Sequence, residues 1–223
     1  MAEIAERDIE PLKLRERAYA SFTERLLTRE IRAGQFVSQR ELVVLTGLPL
    51  GAIRELVPRL EAEGLIKTVP QRGMQVAHVD LNLIRNAFQF RAFLEREATA
   101  LFAQNAGDAS IAAQRKAHEA IIARAESGGD AEMVRDAEVV DRGLHEAIID
   151  HLDNEIIAKA YRVNWLKIKL IRQNETRLYA ELVVPVMRDH LRVIAAMEAR
   201  DGDGAAAAML DHIANARARA IEL

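Results

Sequence analysis

Three histidines and one aspartate occupy inward positions of predicted helices in the second half of the chain. Asp141 and His145 are four residues apart, one turn along the same helical face. His190 and His212 each lie in the middle of an apolar stripe on a later helix. Burial without partners would cost on the order of several kcal/mol, whereas convergence on a cation removes that cost. The four residues therefore predict a metal site, with histidines satisfied inside the core as the alternative.

The donor set indicates which metals would suit this site. Imidazole and carboxylate ligands are typical of zinc, which we take as the first choice, with nickel, manganese or iron as alternatives. Four protein ligands leave coordination positions open for water or for an oxygen of a ligand. The metal could serve ligand binding, activate water as in an enzyme, or only clamp the helices together.

Arg91 lies on the apolar face of a predicted helix and needs an anionic partner there. One hypothesis is that Arg91 binds the carboxylate of a ligand in a bidentate way. The other is an internal ion pair with Glu95, four residues further on. Asn164 and Arg172 share a face of a later helix, together with Tyr161 and Trp165, and are further candidates to line the same ligand site, although packing is the favoured role.

The helices that would carry these residues follow one another from Asp80 onward. Turn-forming residues such as Ser127-Gly128-Gly129 separate them. Six helices are predicted, near 81–105, 109–127, 130–151, 154–174, 177–200 and 203–222. Because alanine is frequent and aromatic residues are scarce, an antiparallel helical bundle is expected for residues 79–223.

The preceding residues, 1–78, have a different pattern. A helix is predicted over 14–32, and Ser38 with Glu41 has capping-box spacing for a short second helix through Leu45. A third helix is expected from the turn at Gly47 to about Glu63. Extended runs at 65–69 and 74–78 flank the turn Pro70-Gln71-Arg72-Gly73. This order predicts a winged helix-turn-helix, with a small helical bundle ending in a hairpin as the alternative.

Composition limits the function classes. The chain has 223 residues, is 50% hydrophobic, contains no cysteine and has a formal net charge of −3. Disulfides, thiolate metal sites and a cysteine nucleophile are thereby excluded. The first ten residues are acidic and do not resemble a signal peptide, and no run has membrane-spanning length, so a cytoplasmic protein without a membrane partner is expected. Any DNA-binding surface must be a local basic patch.

Several of these strings together resemble the GntR family of bacterial transcription regulators, over nearly the whole chain. The resemblance is to the FadR-type branch with a C-terminal FCD domain, in its shorter, VanR-like form. The N-terminal strings that carry it are Ser38-Gln39-Arg40-Glu41-Leu42, Ile53-Arg54-Glu55, Leu60 to Ile66 and Pro70 to Val76. The C-terminal ones are Asp141-Arg142-Gly143-Leu144-His145, His190 and His212, with Arg91 matching an arginine that faces the effector in relatives.

The resemblance implies how DNA and ligand would be bound. The third helix would enter the major groove, and Arg40, Arg54 and Arg72 would contact phosphates or bases. Gln71 and Gly73 belong to the wing, whose glycine would reach the minor groove. It further implies a homodimer on a palindromic operator, released as a repressor when a small carboxylate or sugar acid binds next to the metal. A metal-dependent enzyme that uses the same three histidines and aspartate is the alternative function.

The recognition helix departs from the family pattern at three positions. Relatives carry Ser-Arg at its start, where this chain has Pro49 and Leu50. Pro58 inside the helix removes a backbone hydrogen bond and is expected to kink the helix or shift its start. Loss of one arginine contact to guanine removes about 1–3 kcal/mol of discrimination, so an unusual operator or weak specificity is expected.

Overall fold

The computed structural model describes residues 2–172 and 179–221, apart from the side chains of residues 2–12, 179 and 180. The described residues form two compact units. The first comprises the chain up to Leu83 together with a segment that begins at Leu166, and the second comprises the other described residues from Ile84 onward.

The first unit is a winged helix-turn-helix built around one small sheet. Its elements are α1 (Ala2–Leu27), β1 (Phe36–Val37), α2 (Gln39–Thr46), α3 (Leu50–Ala62), β2 (Ile66–Val69) and β3 (Gly73–Val76). The strand order is β1-β3-β2 and both pairings are antiparallel. Fully buried side chains of α1, α2 and α3, among them Phe22, Leu42 and Leu56, form the core.

Two predictions for this unit were wrong in detail. The first helix was expected over 14–32, but α1 begins at Ala2 and ends at Leu27. Arg29 has a positive φ, and the N–H of Ile31 donates to the carbonyl of Arg25, so the chain turns back and buries Ile31 without continuing the helix. The expected two-stranded ribbon is a three-stranded sheet, because Phe36 and Val37 pair with β3.

The predicted turn signals between the helices are confirmed. The N–H of Glu41 donates to Oγ of Ser38 (3.1 Å) and the N–H of Ser38 donates to Glu41 Oε2 (2.6 Å), which completes a capping box. Gly47, with φ 68°, ends α2 in the left-handed conformation. These caps fix the short turn that separates α2 from α3.

The third helix continues through Pro58 and is not shifted by it. Helix α3 runs from Leu50 to Ala62 with Pro58 inside, and Pro58 is exposed. The missing N–H therefore lies on the solvent side, while Ile53, Leu56 and Leu60 are fully buried and anchor the helix to the core. Of the two expected effects of Pro58, a shifted start is not seen, since α3 begins at Leu50 and packing of its buried face outweighs the lost hydrogen bond; the kink stays a prediction.

The second unit is the predicted helical bundle. Its helices are α4 (Leu81–Asn105), α5 (Asp108–Glu126), α6 (Ala131–Asp150), α7 (Glu155–Arg172), α8 (Tyr179–Glu198) and α9 (Gly202–Ile221), the last turns of α7 belonging to the first unit. Each begins and ends within two residues of the predicted bounds where these can be compared; predicted helical residues 173–174, 177–178 and 222 lie outside the described ranges. Helix α8 packs against α5, α6 and α9. Across residues 2–172 and 179–221, no helix is both long and apolar enough to cross a membrane.

Candidate metal centre and DNA-binding surface

The structure brings the four predicted metal ligands together inside the bundle. Asp141 and His145 come from α6, His190 from α8 and His212 from α9. One potential ligand atom from each residue lies within 4.8 Å of the others. The three histidine side chains are buried, whereas the side chain of Asp141 is 16% exposed. The group is therefore nearly closed, with its most exposed ligand at Asp141.

The distances within the group fit a coordinated cation. His190 Nε2 lies 3.3 Å from His212 Nε2 and 3.7 Å from Oδ1 of Asp141. Neighbouring ligand atoms about 2.0–2.1 Å from a zinc ion stand roughly 2.9 Å apart in an octahedral site, which keeps two positions open, and roughly 3.3 Å apart in a tetrahedral one. Small side-chain adjustments would bring the remaining ligand atoms to similar separations.

The proton positions of His212 also favour a cation at this place. Its Nδ1 is buried and has no hydrogen-bond partner. If the proton of the neutral ring is on Nε2, the lone pair of Nδ1 is buried without a donor. If the proton is on Nδ1, the lone pair of Nε2 faces His190, and no other hydrogen-bond donor of the described residues reaches it. A cation bound at Nε2 satisfies the second arrangement, in which the Nδ1 proton lies on the side of Asp189 Oδ2, 3.9 Å away.

Burial keeps these imidazoles in the form that binds metal. Desolvation lowers the pKa of His190 and His212 well below the usual histidine value, and the neighbouring histidines lower it further. Both rings are therefore neutral near pH 7. Neutral rings offer the lone pairs that a metal requires.

Glu95 connects His145, one of the predicted metal ligands, to Arg91. Its carboxylate accepts hydrogen bonds from Arg91 Nε (2.6 Å) and from the Tyr161 hydroxyl (3.1 Å), and its Oε2 lies 2.7 Å from His145 Nδ1. Burial disfavours the ionised carboxyl, but the charges and hydrogen bonds of Arg91 and His145 together outweigh it, so the pKa of Glu95 falls below its usual range. His145 thus has a carboxylate behind the ring, an arrangement typical of metal ligands.

Arg91 has the internal partner that sequence analysis named as one alternative. The Arg91–Glu95 ion pair is buried, and Nη2 of Arg91 also lies 3.2 Å from His145 Nε2. The guanidinium therefore lies beside the predicted metal-binding group and is already neutralised. An effector carboxylate that bound Arg91 would share it with Glu95.

The other two predicted effector residues lie in different surroundings. The side-chain amide of Asn164 is buried and donates to the carbonyl of Ala87 (3.0 Å), which joins α7 to α4. Arg172 lies in the last turn of α7, a segment that belongs to the first unit. Arg172 thus belongs to a different unit from the predicted metal ligands, and an effector role for either residue stays a prediction.

One buried histidine next to this group was missed by the sequence analysis. His118 of α5 is fully buried, and its Nε2 lies 3.0 Å from Nδ1 of His190. A signal for its burial was present, because Ile111, His118 and Ile121 recur at helical spacing and all three are buried. Its proximity to His190 depends on how α5 packs on α8 and has no counterpart in the local sequence.

The predicted DNA-binding arginines of the helices are exposed in the first unit. Arg40 lies in the first turn of α2 and Arg54 in the first half of α3, and both side chains are solvent-accessible. Pro49 caps α3 without a side-chain hydrogen bond, and Leu50 is 38% exposed. The start of α3 consequently offers an exposed hydrophobic side chain.

The wing is a tight turn with a defined backbone. Gln71 and Arg72 are exposed, and the Arg72 guanidinium stacks 4.4 Å above the ring of Phe36, a cation–π contact. Gly73 has φ 91°, and a Cβ there would lie 3.0 Å from the carbonyl oxygen of Val37. The glycine is thus needed both for its φ angle and for the close approach of β1.

Comparison with known families decides the identity of the bundle. The family model described as the FCD domain matches residues 86–215. The chain belongs to the FCD family. Its winged helix-turn-helix and FCD domain together make it a transcription regulator of the GntR type, and the enzyme alternative is set aside because the family and its relatives are regulators.

Individual relatives agree with this FCD assignment. The Nta operon transcriptional regulator of Aminobacter aminovorans is 27% identical over 187 residues, which cover 82% of each chain. Among solved structures, E. coli McbR/YncC superposes with a TM-score of 0.75 at 17% identity, covering 95% of this chain and 97% of that one. A GntR transcriptional regulator from Rhodococcus sp. RHA1 superposes with a TM-score of 0.73 at 16% identity, covering 93% of this chain and 97% of that one. At these identities the two structures support the fold alone.

Proposed function

We propose that this FCD protein is a cytoplasmic, homodimeric repressor, with residues 1–78 binding a palindromic operator and residues 79–223 binding metal and effector. The observation that carries the proposal is the buried group Asp141, His145, His190 and His212, whose ligand atoms lie within 4.8 Å of one another. A transcription regulator with such a group in its ligand-binding domain has a means of coupling a metabolite to DNA binding.

In the DNA complex, α3 would lie in the major groove and the wing would contact the adjacent backbone. Arg54 on α3 and Arg40 on α2 are exposed and not committed to a buried core, so they are available to phosphates or base edges. Arg72 is held over Phe36 at the wing, with Gln71 and Gly73 beside it. Two copies of this surface in a homodimer would bind the two half-sites.

In the effector site, Asp141, His145, His190 and His212 would hold a divalent cation, with zinc as the first choice and nickel, manganese or iron as alternatives. The bound cation would supply a positive centre for one oxygen of a small carboxylate or sugar acid. Arg91, beside His145, would orient the same carboxylate, and Asn164 and Arg172 are further effector candidates. Ligand binding would favour a dimer whose wings no longer match the half-site spacing.

The test combines DNA selection with a release assay. Duplexes bound by the purified protein are selected from a random pool, and the recovered site is titrated at two salt concentrations with and without zinc and candidate carboxylates. The proposal is supported if the protein binds a palindrome and releases it when zinc and a carboxylate are added together. The chelated protein and the His190→Ala variant should both keep the DNA bound. His151→Ala is the matched control, since His151 is an exposed histidine that ends α6.

The results separate the parts of the proposal. Recovery of no motif, with binding that disappears at moderate salt, would contradict a sequence-specific operator. If carboxylates release the DNA equally well from the chelated protein, the metal does not belong to the effector site.

A further inference from the structure

His118 has a defined neighbour at each ring nitrogen. Its Nδ1 lies 2.7 Å from the backbone carbonyl oxygen of Gln114, and its Nε2 lies 3.0 Å from Nδ1 of His190. Both His118 and His190 are fully buried, so water does not compete for these bonds. The ring of His118 is therefore held in one orientation between α5 and α8.

The chemistry of the partners fixes the direction of the two hydrogen bonds. A carbonyl oxygen can only accept, so the proton of the neutral His118 ring is on Nδ1 and donates to Gln114. The Nε2 of His118 then carries a lone pair and must accept from Nδ1–H of His190. This leaves Nε2 of His190 without a proton, at the atom that faces Asp141 Oδ1 and His212 Nε2.

We propose that His118 is a positioning residue for the metal centre. It donates to the carbonyl of Gln114 and accepts from Nδ1–H of His190, and so holds the His190 ring with its Nε2 lone pair directed at the ligand group. Metal-binding histidines usually donate their other N–H to a carboxylate or carbonyl. Here a second imidazole, that of His118, carries that function. The inference rests on the proposed metal site and adds a residue that does not itself bind the ion.

Packing alone would give His118 a different role. The rings of His118 and His190 are also in edge-to-face contact, with centroids 5.1 Å apart at 71°. A residue that only fills space would affect the stability of the metal-free bundle and leave zinc affinity unchanged. The test must therefore measure affinity and tautomer separately from stability.

Two substitutions at position 118 separate these roles. His118→Leu keeps an apolar side chain but removes the acceptor, whereas the amide oxygen of His118→Gln can still accept from His190 Nδ1–H. Ile121→Val, one turn further along α5 in the packed cluster with Met187, controls for mild loosening of the bundle. Zinc affinity is measured for each full-length protein by competition with a chromophoric chelator, alongside thermal unfolding of the metal-free form.

We expect His118→Leu to bind zinc about 10- to 100-fold more weakly than the original protein, with His118→Gln recovering most of the loss and Ile121→Val within about two-fold. Long-range ¹H–¹⁵N correlation of histidine-labelled, metal-free protein should show His190 protonated at Nδ1. Unchanged zinc affinity in His118→Leu, or a His190 ring protonated at Nε2, overturns the inference.

Failure of the metal site itself gives a different result. If the original protein and His190→Ala both lack zinc affinity, the proposed metal centre is wrong and this inference falls with it. If zinc affinity is lost in His190→Ala but retained in His118→Leu, the metal centre stands and the role of His118 is refuted. The NMR measurement on the original protein needs neither variant to fold.

Discussion

Replacing Glu95 by glutamine should strongly destabilise the metal-free bundle. Oε1 accepts from Arg91 Nε and Tyr161, while Oε2 faces His145 Nδ1 and Arg91 Nη2. The amide NH2 of glutamine would face an N–H of Arg91 in either orientation of the amide. In addition, the buried positive charge of Arg91 would no longer have an anionic partner. Removing one member of a buried ion pair costs about 3–5 kcal/mol, a large part of the roughly 5–15 kcal/mol that stabilises a typical domain.

The assay is denaturant and thermal unfolding of the chelated protein at pH 7. A loss of this size corresponds to about 6–20 °C in the melting temperature of a chain of this length. Glu97→Gln, at an exposed position of the same helix, is the matched control and should change stability by less than about 0.5 kcal/mol. The double variant Arg91→Met/Glu95→Gln removes the unpaired cation and should be more stable than Glu95→Gln alone. If Glu95→Gln loses less than about 1 kcal/mol, the carboxylate does not hold this network together.

Three further predictions follow from the described contacts. Arg54→Ala should weaken operator binding by about 1–3 kcal/mol with the ligand response intact, whereas Arg162→Ala in the bundle should not; equal affinities for the two variants in DNA titrations would refute the role of Arg54. Gly73→Ala should lower the free energy of unfolding more than Gly47→Ala, because both have positive φ but only Gly73 faces the Val37 carbonyl; denaturant titrations that rank them in reverse would contradict this. Burial lowers the pKa of His118, His190 and His212, so the folded chain binds fewer protons than the unfolded chain below about pH 6.5. The metal-free protein should therefore lose up to about 1.4 kcal/mol per pH unit for each such histidine as the pH falls from 6.5 to 5, and a flat profile in unfolding experiments would oppose it.

The sequence by itself determined the helices of the bundle and the residues of the candidate site. Turn formers such as Ser127-Gly128-Gly129 and caps such as Ser38 act on their nearest neighbours, so their effect is visible in the local sequence. The same holds for Asp141 and His145, which the helical period places on one face. These are short-range relations, and the family strings added the DNA-binding and FCD assignments.

Only the tertiary structure decided how side chains from different elements meet. The spacing on α6, α8 and α9 could place each ligand on an inward face, but not bring His190 and His212 to 3.3 Å. Likewise, the sequence did not decide whether Arg91 pairs with an effector or with Glu95. It also did not predict the pairing of β1 with β3 or the contact of His118 with His190. Such contacts join residues distant along the chain, and they depend on helix packing and strand register, which no local pattern specifies.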